Sequence, residues 1–170
     1  MEPATRDALF AEAMQQHLGI FLKTAYAFTA AAADRDDLVQ EMLLAAWQAL
    51  PSFDGSSKLS TFLYRVANNR ALNWNRSQRR YGHKLAALEQ CPQLTLETGD
   101  AHSDHARLDW LYTLIRKLAP IDRTVLMLHL DQLSHREIGE VTSLTENNVG
   151  VRLHRIKRWL SEQKDTHHGP

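Results

Sequence analysis

Residues 133–160 of the chain read LSHREIGEVTSLTENNVGVRLHRIKRWL and contain two helical patterns separated by a short turn. Ser134 and Glu137 have the S-x-x-E spacing of a capping box, in which each side chain bonds an otherwise unpaired backbone N–H at a helix start. Thr145 precedes a second helical pattern, where a hydroxyl caps backbone N–H groups. The stretch therefore predicts helices over 134–142 and 145–162, joined by a tight turn as in a helix-turn-helix.

The second of these helices has one apolar and one polar face. Its apolar stripe recurs at steps of four, three and four, and consists of Val149, Leu153, Ile156 and Leu160. The opposite face carries Asn147, Val151, His154 and Arg158, flanked by Asn148, Gly150 and Arg155. An α-helix fits the major groove, where Arg and Asn recognise base edges and cations neutralise phosphates. The pattern predicts duplex DNA binding, although the helix dipole alone also favours a basic C-terminus.

Charge is distributed unevenly along a chain of 170 residues with no net charge. Residues 55–88 carry seven Lys and Arg side chains and no Asp or Glu, and the segments on both sides are acidic. Within this basic block one helix face is predicted to carry Arg65, Asn69, Asn73, Arg76 and Arg80. A ridge of cations and amides favours contact with single-stranded or opened nucleic acid. A solvated helix face is the alternative.

The helix predicted before this block carries an acidic, amide-rich face. Its residues are Asp37, Gln40, Glu41, Leu44 and Gln48. A leucine within an acidic face, next to a nucleic-acid ridge, favours a protein partner.

Apolar residues recur at three- and four-residue steps throughout, which predicts an all-α protein of two small helical domains joined by a flexible linker. The predicted domains are 1–84 and 107–163, with a linker over 85–106 and a tail over 164–170. The first helix is predicted over 5–33, with a bend near Gly19, and the second begins with Asp34 as its N-cap and ends before Pro51. The third should stop near Gly82, and two more span 107–118 and 121–130. The core side predicted for the first helix consists of Leu9, Phe10, Met14, Leu18, Phe21, Leu22 and Tyr26.

Several classes of function find no support in the sequence. The single cysteine, Cys91, excludes an internal disulfide framework and fits a reducing compartment. No long apolar run predicts membrane insertion, and the N-terminal residues do not resemble a signal peptide, so we expect a cytoplasmic protein. His102, Asp104 and His105 lie close together but within the predicted linker, so we predict neither a metal site nor a cofactor. Without a P-loop or a Ser-His-Asp order, we predict no enzymatic activity.

Two long segments resemble a known family. Residues 34–81, with DLVQE, W-x-A-L and TFLYRVA-x-NRA, resemble region 2 of bacterial RNA polymerase sigma factors of the extracytoplasmic-function type. Residues 107–160, with L-S-x-x-E-I and N-V-x-V-R-L-x-R, resemble region 4 of the same family. The resemblance implies a protein that binds core RNA polymerase, recognises the -35 and -10 promoter elements and helps open the duplex, without catalysis of its own.

The resemblance also implies roles for individual residues. Those implied to bind core polymerase are Asp37, Leu38, Gln40 and Glu41, to which the surface pattern adds Leu44. Those implied for the -10 region are Phe53, Lys58, Arg65, Asn69, Asn73, Arg76, Arg79 and Arg80. Asn69 would help hold an extruded base, and the loop 53–58 would form part of that pocket. Those implied for the -35 region are Asn148, Arg152, His154, Arg155 and Arg158.

The chain departs from the family pattern at three positions. Gly150 and Val151 stand where many members carry a basic residue and a serine, and Asp54 stands where arginine is common, so promoter preference is expected to differ. The resemblance further implies an anti-sigma factor as a partner. The alternative is a stand-alone helix-turn-helix repressor that binds duplex DNA by itself, which would leave the basic ridge unexplained.

Overall fold

The computed structural model describes residues 3–86 and 103–167, and the side chains within 6–78 and 107–163. Most of the described residues are helical and none of them is in a strand, which confirms the all-α prediction. Most of the predicted linker lies outside the described residues. The elements are α1 (Pro3–Phe28), α2 (Ala32–Ala49), a 3-10 turn (Leu50–Ser52), α3 (Leu59–Ala86), α4 (Ser103–Lys117), α5 (Pro120–Leu130), α6 (His135–Thr142) and α7 (Glu146–His167).

The first three helices form the N-terminal group, packed around fully buried side chains. Phe21 of α1, Leu38 and Met42 of α2, and Leu63 of α3 have no exposed surface. Burying a side chain of this size stabilises a fold by about 1.5–3 kcal/mol. Pro51 is the second residue of the 3-10 turn that follows α2, a position that suits proline because its ring fixes a helical φ and its nitrogen has no N–H to satisfy. The loop that follows leads into α3.

Helix α1 differs from its prediction in two respects. It continues through Gly19 without a break and ends at Phe28. The predicted core side was partly wrong, because Leu9, Leu18, Leu22 and Tyr26 keep 36–42% of their surface exposed. The buried residues of this helix are Ala13, Ile20, Phe21, Ala25, Ala27 and Phe28. Three of these are alanines, whose small side chains let helix axes approach closely, and a hydrophobicity pattern gives them little weight.

The boundaries of α2 and α3 also differ from the predictions. Ala31 occupies the N-cap of α2 and makes no side-chain cap bond, while Asp34 lies inside the first turn. In this position the negative charge of Asp34 interacts favourably with the positive end of the helix dipole, and the side chain does not cap a backbone N–H. Helix α3 continues past Gly82 to Ala86.

The last four helices form the C-terminal group, whose helix-turn-helix agrees with the prediction. Ser134 Oγ accepts from the Glu137 N–H, and the Glu137 carboxylate accepts from the Ser134 N–H, which confirms the capping box. Thr145 Oγ1 accepts from the Asn148 N–H at 3.3 Å. The turn requires Gly139, because a Cβ there would stand 2.6 Å from the backbone oxygen of Leu144.

The two groups pack against each other, α1 on α4 and α5, and α3 on α5 and α6. At the centre of this junction the buried Thr124 hydroxyl donates to the amide oxygen of buried Asn68. Nearer the edge, Arg116 of α4 donates to the carbonyl oxygens of Tyr26 and Thr29, at 3.2 and 3.4 Å. The arginine thereby satisfies backbone acceptors at the end of α1, a position where helices leave carbonyls unpaired.

A second polar contact crosses the junction at Asp131, directly after α5. Tyr64 Oη donates to Asp131 Oδ2 at 2.6 Å, and the Lys23 ammonium pairs with Oδ1 of the same carboxylate. Burial and the neighbouring Asp131 raise the pKa of the Tyr64 phenol well above its usual value, so the hydroxyl remains a donor. The junction therefore combines apolar packing with polar contacts that fix how the two groups dock.

Candidate functional site

The loop between the 3-10 turn and α3 is held in a defined shape. Gly55 has a φ of 78°, in the left-handed region that favours glycine. Asp54 Oδ1 accepts from the Ser56 N–H at 2.9 Å, and hydrogen bonds from Ser56 lower the pKa of the Asp54 carboxyl. The Phe53 ring packs 5.2 Å from that of Phe62 on α3. The loop therefore presents an anion where the family pattern favours an arginine.

The predicted nucleic-acid ridge on α3 is exposed where its side chains are described. Its members are Arg65, Asn69, Asn73 and Arg76. Arg76 Nη1 donates to Asn73 Oδ1 at 3.5 Å, and this bond positions the amide beside the cation. The buried side of the same helix carries Leu63, Ala67 and Ala71. The side chains of Arg79 and Arg80 lie outside the described residues.

Lys58, at the end of the loop, contacts the helix-turn-helix. Its Nζ donates to Glu137 Oε1 at 2.8 Å. This bond raises the pKa of the Lys58 ammonium, and together with bonds from Ser134 it lowers the pKa of the Glu137 carboxyl to about 2. A residue predicted for the -10 region is thus paired with a residue of the other helical group.

The acidic face of α2 presents the residues predicted for polymerase binding, with one exception. Asp37 and Gln40 are exposed, and Leu44 keeps 55% of its surface in solvent. Glu41 is partly exposed and pairs with Arg70 of α3 at 2.8 Å. Leu38 is fully buried in the core, so its assignment as a contact residue was wrong and its role is packing.

The outer face of α7 is also open. Exposed residues on it include Asn148, His154, Arg155 and Arg158. Arg152, predicted to contact the -35 region, is half-buried and forms an ion pair with Asp122 of α5. That pair holds α7 against α5, so Arg152 has a structural partner in addition to its predicted role.

Sequence reasoning missed the residues that join the two helical groups. Tyr64 and Asn68 stand four positions apart on α3, beside the ridge residues Arg65 and Asn69. A tyrosine and an amide at that spacing, on the edge of an apolar face, are the available signal for a second packed surface. Asp131, the partner of Tyr64, lies in the short segment between α5 and α6 and has no comparable signal.

The side chains of the metal alternative, His102, Asp104 and His105, lie outside the described residues. Within 6–78 and 107–163 no group of three or more His, Cys, Asp or Glu residues is placed to hold a metal ion.

Comparison with known proteins identifies the family. Residues 13–81 match the model of Sigma-70 region 2, and residues 108–160 match that of Sigma-70, region 4. The chain belongs to the sigma-70 family. It is similar to the ECF RNA polymerase sigma factor SigW of Bacillus subtilis (strain 168), with 29% identity over 140 residues that cover 76% of this chain and 75% of SigW. This likeness and the two regions place the protein among the extracytoplasmic-function sigma factors.

Two other proteins are similar to this sigma factor. The RNA polymerase sigma factor YlaC of Bacillus subtilis (strain 168) is 29% identical over 129 residues, which cover 74% of this chain and 75% of YlaC. The sigma factor RpoE from Bartonella quintana, solved in complex with the anti-sigma factor NepR, has the same fold, with a TM-score of 0.72 and 18% identity. That match covers 90% of this chain and 94% of the solved one.

Family membership decides between the two functions that the sequence left open. This sigma factor directs promoter-specific initiation of transcription, and the hypothesis of a stand-alone repressor is set aside. None of its described helices is long and apolar enough to span a membrane.

Proposed function

We propose that this sigma factor divides its work between three surfaces, on α2, on α3 with the loop 53–58, and on α7. The first docks on core RNA polymerase, the second holds the opened -10 element, and the third enters the major groove of the -35 element. The observation that supports this division is that each helix buries one face and leaves a separate polar face exposed. The corresponding domains are 1–84 and 107–163.

The α3 surface suits a strand that has left the duplex. Extruding a base costs a few kcal/mol of stacking, which the protein must offset by stacking and by hydrogen bonds to the base edge. Asn69 supplies both an amide donor and a carbonyl acceptor, and Arg65 and Arg76 on the same ridge neutralise the backbone. Asp54, held ionised in the loop, repels phosphate and favours an exocyclic amino group of a base.

The docked arrangement of the two groups is a closed form in this proposal. The -10 and -35 elements are named for positions some 25 base pairs apart, which is roughly 85 Å of straight duplex at about 3.4 Å per base pair. Lys58 of the loop 53–58 and Glu137 of α6, the helix that packs on α7, form a direct 2.8 Å contact instead. The helical groups must therefore separate before one molecule can occupy both elements.

The remaining assignments follow from this activity. We propose the cytoplasm as the compartment, because core polymerase acts there, and no catalytic step for this chain, because the polymerase performs the chemistry. We also propose an anti-sigma factor as a partner. Support comes from the similar Bartonella quintana structure, whose sigma factor was solved with an anti-sigma factor.

Transcription in vitro tests the proposal. Purified protein and core RNA polymerase are incubated with a genomic fragment library, start sites are mapped, and binding without polymerase is measured in parallel. Discrete start sites that share two spaced upstream elements and require both proteins are the expected result. Absence of polymerase-dependent initiation, with tight duplex binding by the protein alone, would overturn it.

A further inference from the structure

Val151 is an apolar side chain at the outermost point of α7. Val149, Leu153, Ile156 and Leu160 point into the protein, and at 100° per residue Val151 lies about 190° around the helix from the centre of that stripe. It keeps 51% of its surface exposed, which sets it among the exposed large hydrophobic residues of the described chain. Packing within the protein therefore does not explain why a valine occupies this position.

The neighbours of Val151 are polar. Asn148 lies three residues before it and Arg155 four residues after it, and both side chains are exposed on the same side of α7. On the inner side, Gly150 adds no side chain, and His135 of α6 lies near its backbone. Val151 therefore projects between an amide and a guanidinium, with an unobstructed path outward.

Major-groove chemistry limits what such a side chain can contact. Base edges there present polar donors and acceptors, and the C5-methyl group of thymine is the apolar exception. Valine placed against a donor or acceptor would leave that polar group unsatisfied, at a cost of about 1–3 kcal/mol. Valine placed against the methyl group removes apolar surface of both partners from water.

We propose that Val151 is a specificity-determining residue that contacts the C5-methyl group of a thymine in the -35 element, with Asn148 and Arg155 bonding adjacent base edges or phosphates. This inference rests on the proposed function, because it requires α7 to occupy the major groove. It predicts that at one position the protein distinguishes thymine from uracil, a pair that differs only by the methyl group.

Deoxyuridine substitution tests the inference, since deoxyuridine keeps every hydrogen-bonding group of thymidine and lacks only the methyl. Holoenzyme assembled from core polymerase and this chain is bound to a promoter identified by start-site mapping, with each -35 thymine replaced singly. We expect one such replacement to weaken binding by about fourfold, the effect of one buried methyl-sized group. Val151→Ala should lose about the same factor on the unmodified promoter and show no further loss on the deoxyuridine promoter.

Leu130→Ala is the matched control, because Leu130 is 52% exposed and lies at the end of α5, outside the helix proposed to enter the major groove. It should retain the full sensitivity to deoxyuridine. Thermal unfolding verifies that Val151→Ala is folded, and alanine has the higher helix propensity. A -35 element without thymine, wild-type binding that ignores every deoxyuridine, or a Val151→Ala protein that keeps the sensitivity would each overturn the inference alone. Loss of polymerase-dependent initiation by the wild-type protein would overturn the proposed function as well.

Discussion

The Tyr64 hydroxyl donates to the Asp131 carboxylate across 2.6 Å, and these two residues belong to different helical groups. Asp131 also pairs with Lys23, so one carboxylate joins α1, α3 and the segment after α5. Its side chain is only 14% exposed. A charge that is this well shielded contributes more than a surface pair does, because water competes less for it.

Replacement of Asp131 by asparagine should weaken the docking of the two groups. Asn keeps the acceptor for Tyr64 but removes the charge that pairs with Lys23, at an expected cost of about 1–2 kcal/mol. Small-angle X-ray scattering should report a larger radius of gyration for Asp131→Asn. The control is Asp36→Asn, which removes the charge of an exposed residue of α2. Equal radii for wild type and Asp131→Asn would contradict the role of this carboxylate.

The Lys58–Glu137 contact predicts a defined dependence of stability on pH. Hydrogen bonds from Lys58 and Ser134 lower the pKa of Glu137 from 4.5 to about 2. A lowered pKa contributes stability above the unfolded value, and that contribution disappears as the pH falls from 4.5 towards 2. Glu137→Gln should therefore be less stable near neutral pH and less sensitive to acid in this window, as measured by urea unfolding. Glu140→Gln should keep the wild-type acid sensitivity; an equal change in both variants would argue against a special role for Glu137.

Gly139 and Gly19 should respond oppositely to alanine. A Cβ at Gly139 would meet the Leu144 oxygen at 2.6 Å, so Gly139→Ala should distort the turn and cost about 1–3 kcal/mol. A Cβ at Gly19 would meet only the Lys23 Cε at 4.0 Å, so Gly19→Ala should stabilise α1 by about 0.5–1 kcal/mol. Thermal unfolding measures both. A neutral Gly139→Ala would show that the turn can relax.

Two adjacent asparagines should separate structure from promoter opening. Asn68 is buried and bonds Thr124, so Asn68→Ala should lower stability by about 1–3 kcal/mol. Asn69 is exposed on the ridge, so Asn69→Ala should leave thermal unfolding unchanged and reduce opening of the -10 region, measured by permanganate reactivity of unpaired thymines. Normal opening by Asn69→Ala would remove this residue from the proposed -10 pocket.

Leu44 should contribute to polymerase binding. It is 55% exposed between polar residues of α2, and Leu44→Ala should weaken binding to core polymerase by about tenfold, corresponding to roughly 1.4 kcal/mol for a residue central to an interface. Competition between labelled wild type and the variant for core polymerase measures this change. Leu130→Ala, which removes a leucine of similar exposure, should compete as wild type does.

The sequence predicted what depends on local chemistry. The capping box of Ser134 and Glu137 and the cap at Thr145 need only neighbouring residues, and the structure has them as expected. The exposed ridge on α3 followed from helical period alone. By contrast, Leu38 was assigned to polymerase binding because the family resemblance implies it, whereas its spacing from buried Met42 on α2 matches the core side of that helix.

The contacts between the two groups could not be predicted from the sequence. Tyr64 and Asp131 are 67 residues apart, and the segment between them includes the predicted linker, which imposes no distance on its ends. The sequence pattern also overestimated the burial of Leu18 and Leu22 of α1, because leucine is more hydrophobic than the alanines that the helical bundle buries. Which apolar residues are buried depends on the surfaces of the helices that pack against them, and the local sequence pattern carries no information about those surfaces.

The contacts of Arg116 with the end of α1 allow the closed form to be detected without a label. Because this arginine of α4 donates to the carbonyls of Tyr26 and Thr29, the end of α1 depends on a residue from the other group. Separation of the groups removes that donor, and the final turn of α1 then frays more often. Amide hydrogen exchange at the end of α1 should therefore accelerate whenever core polymerase opens the protein, so the unlabelled chain itself reports the fraction of molecules that have opened.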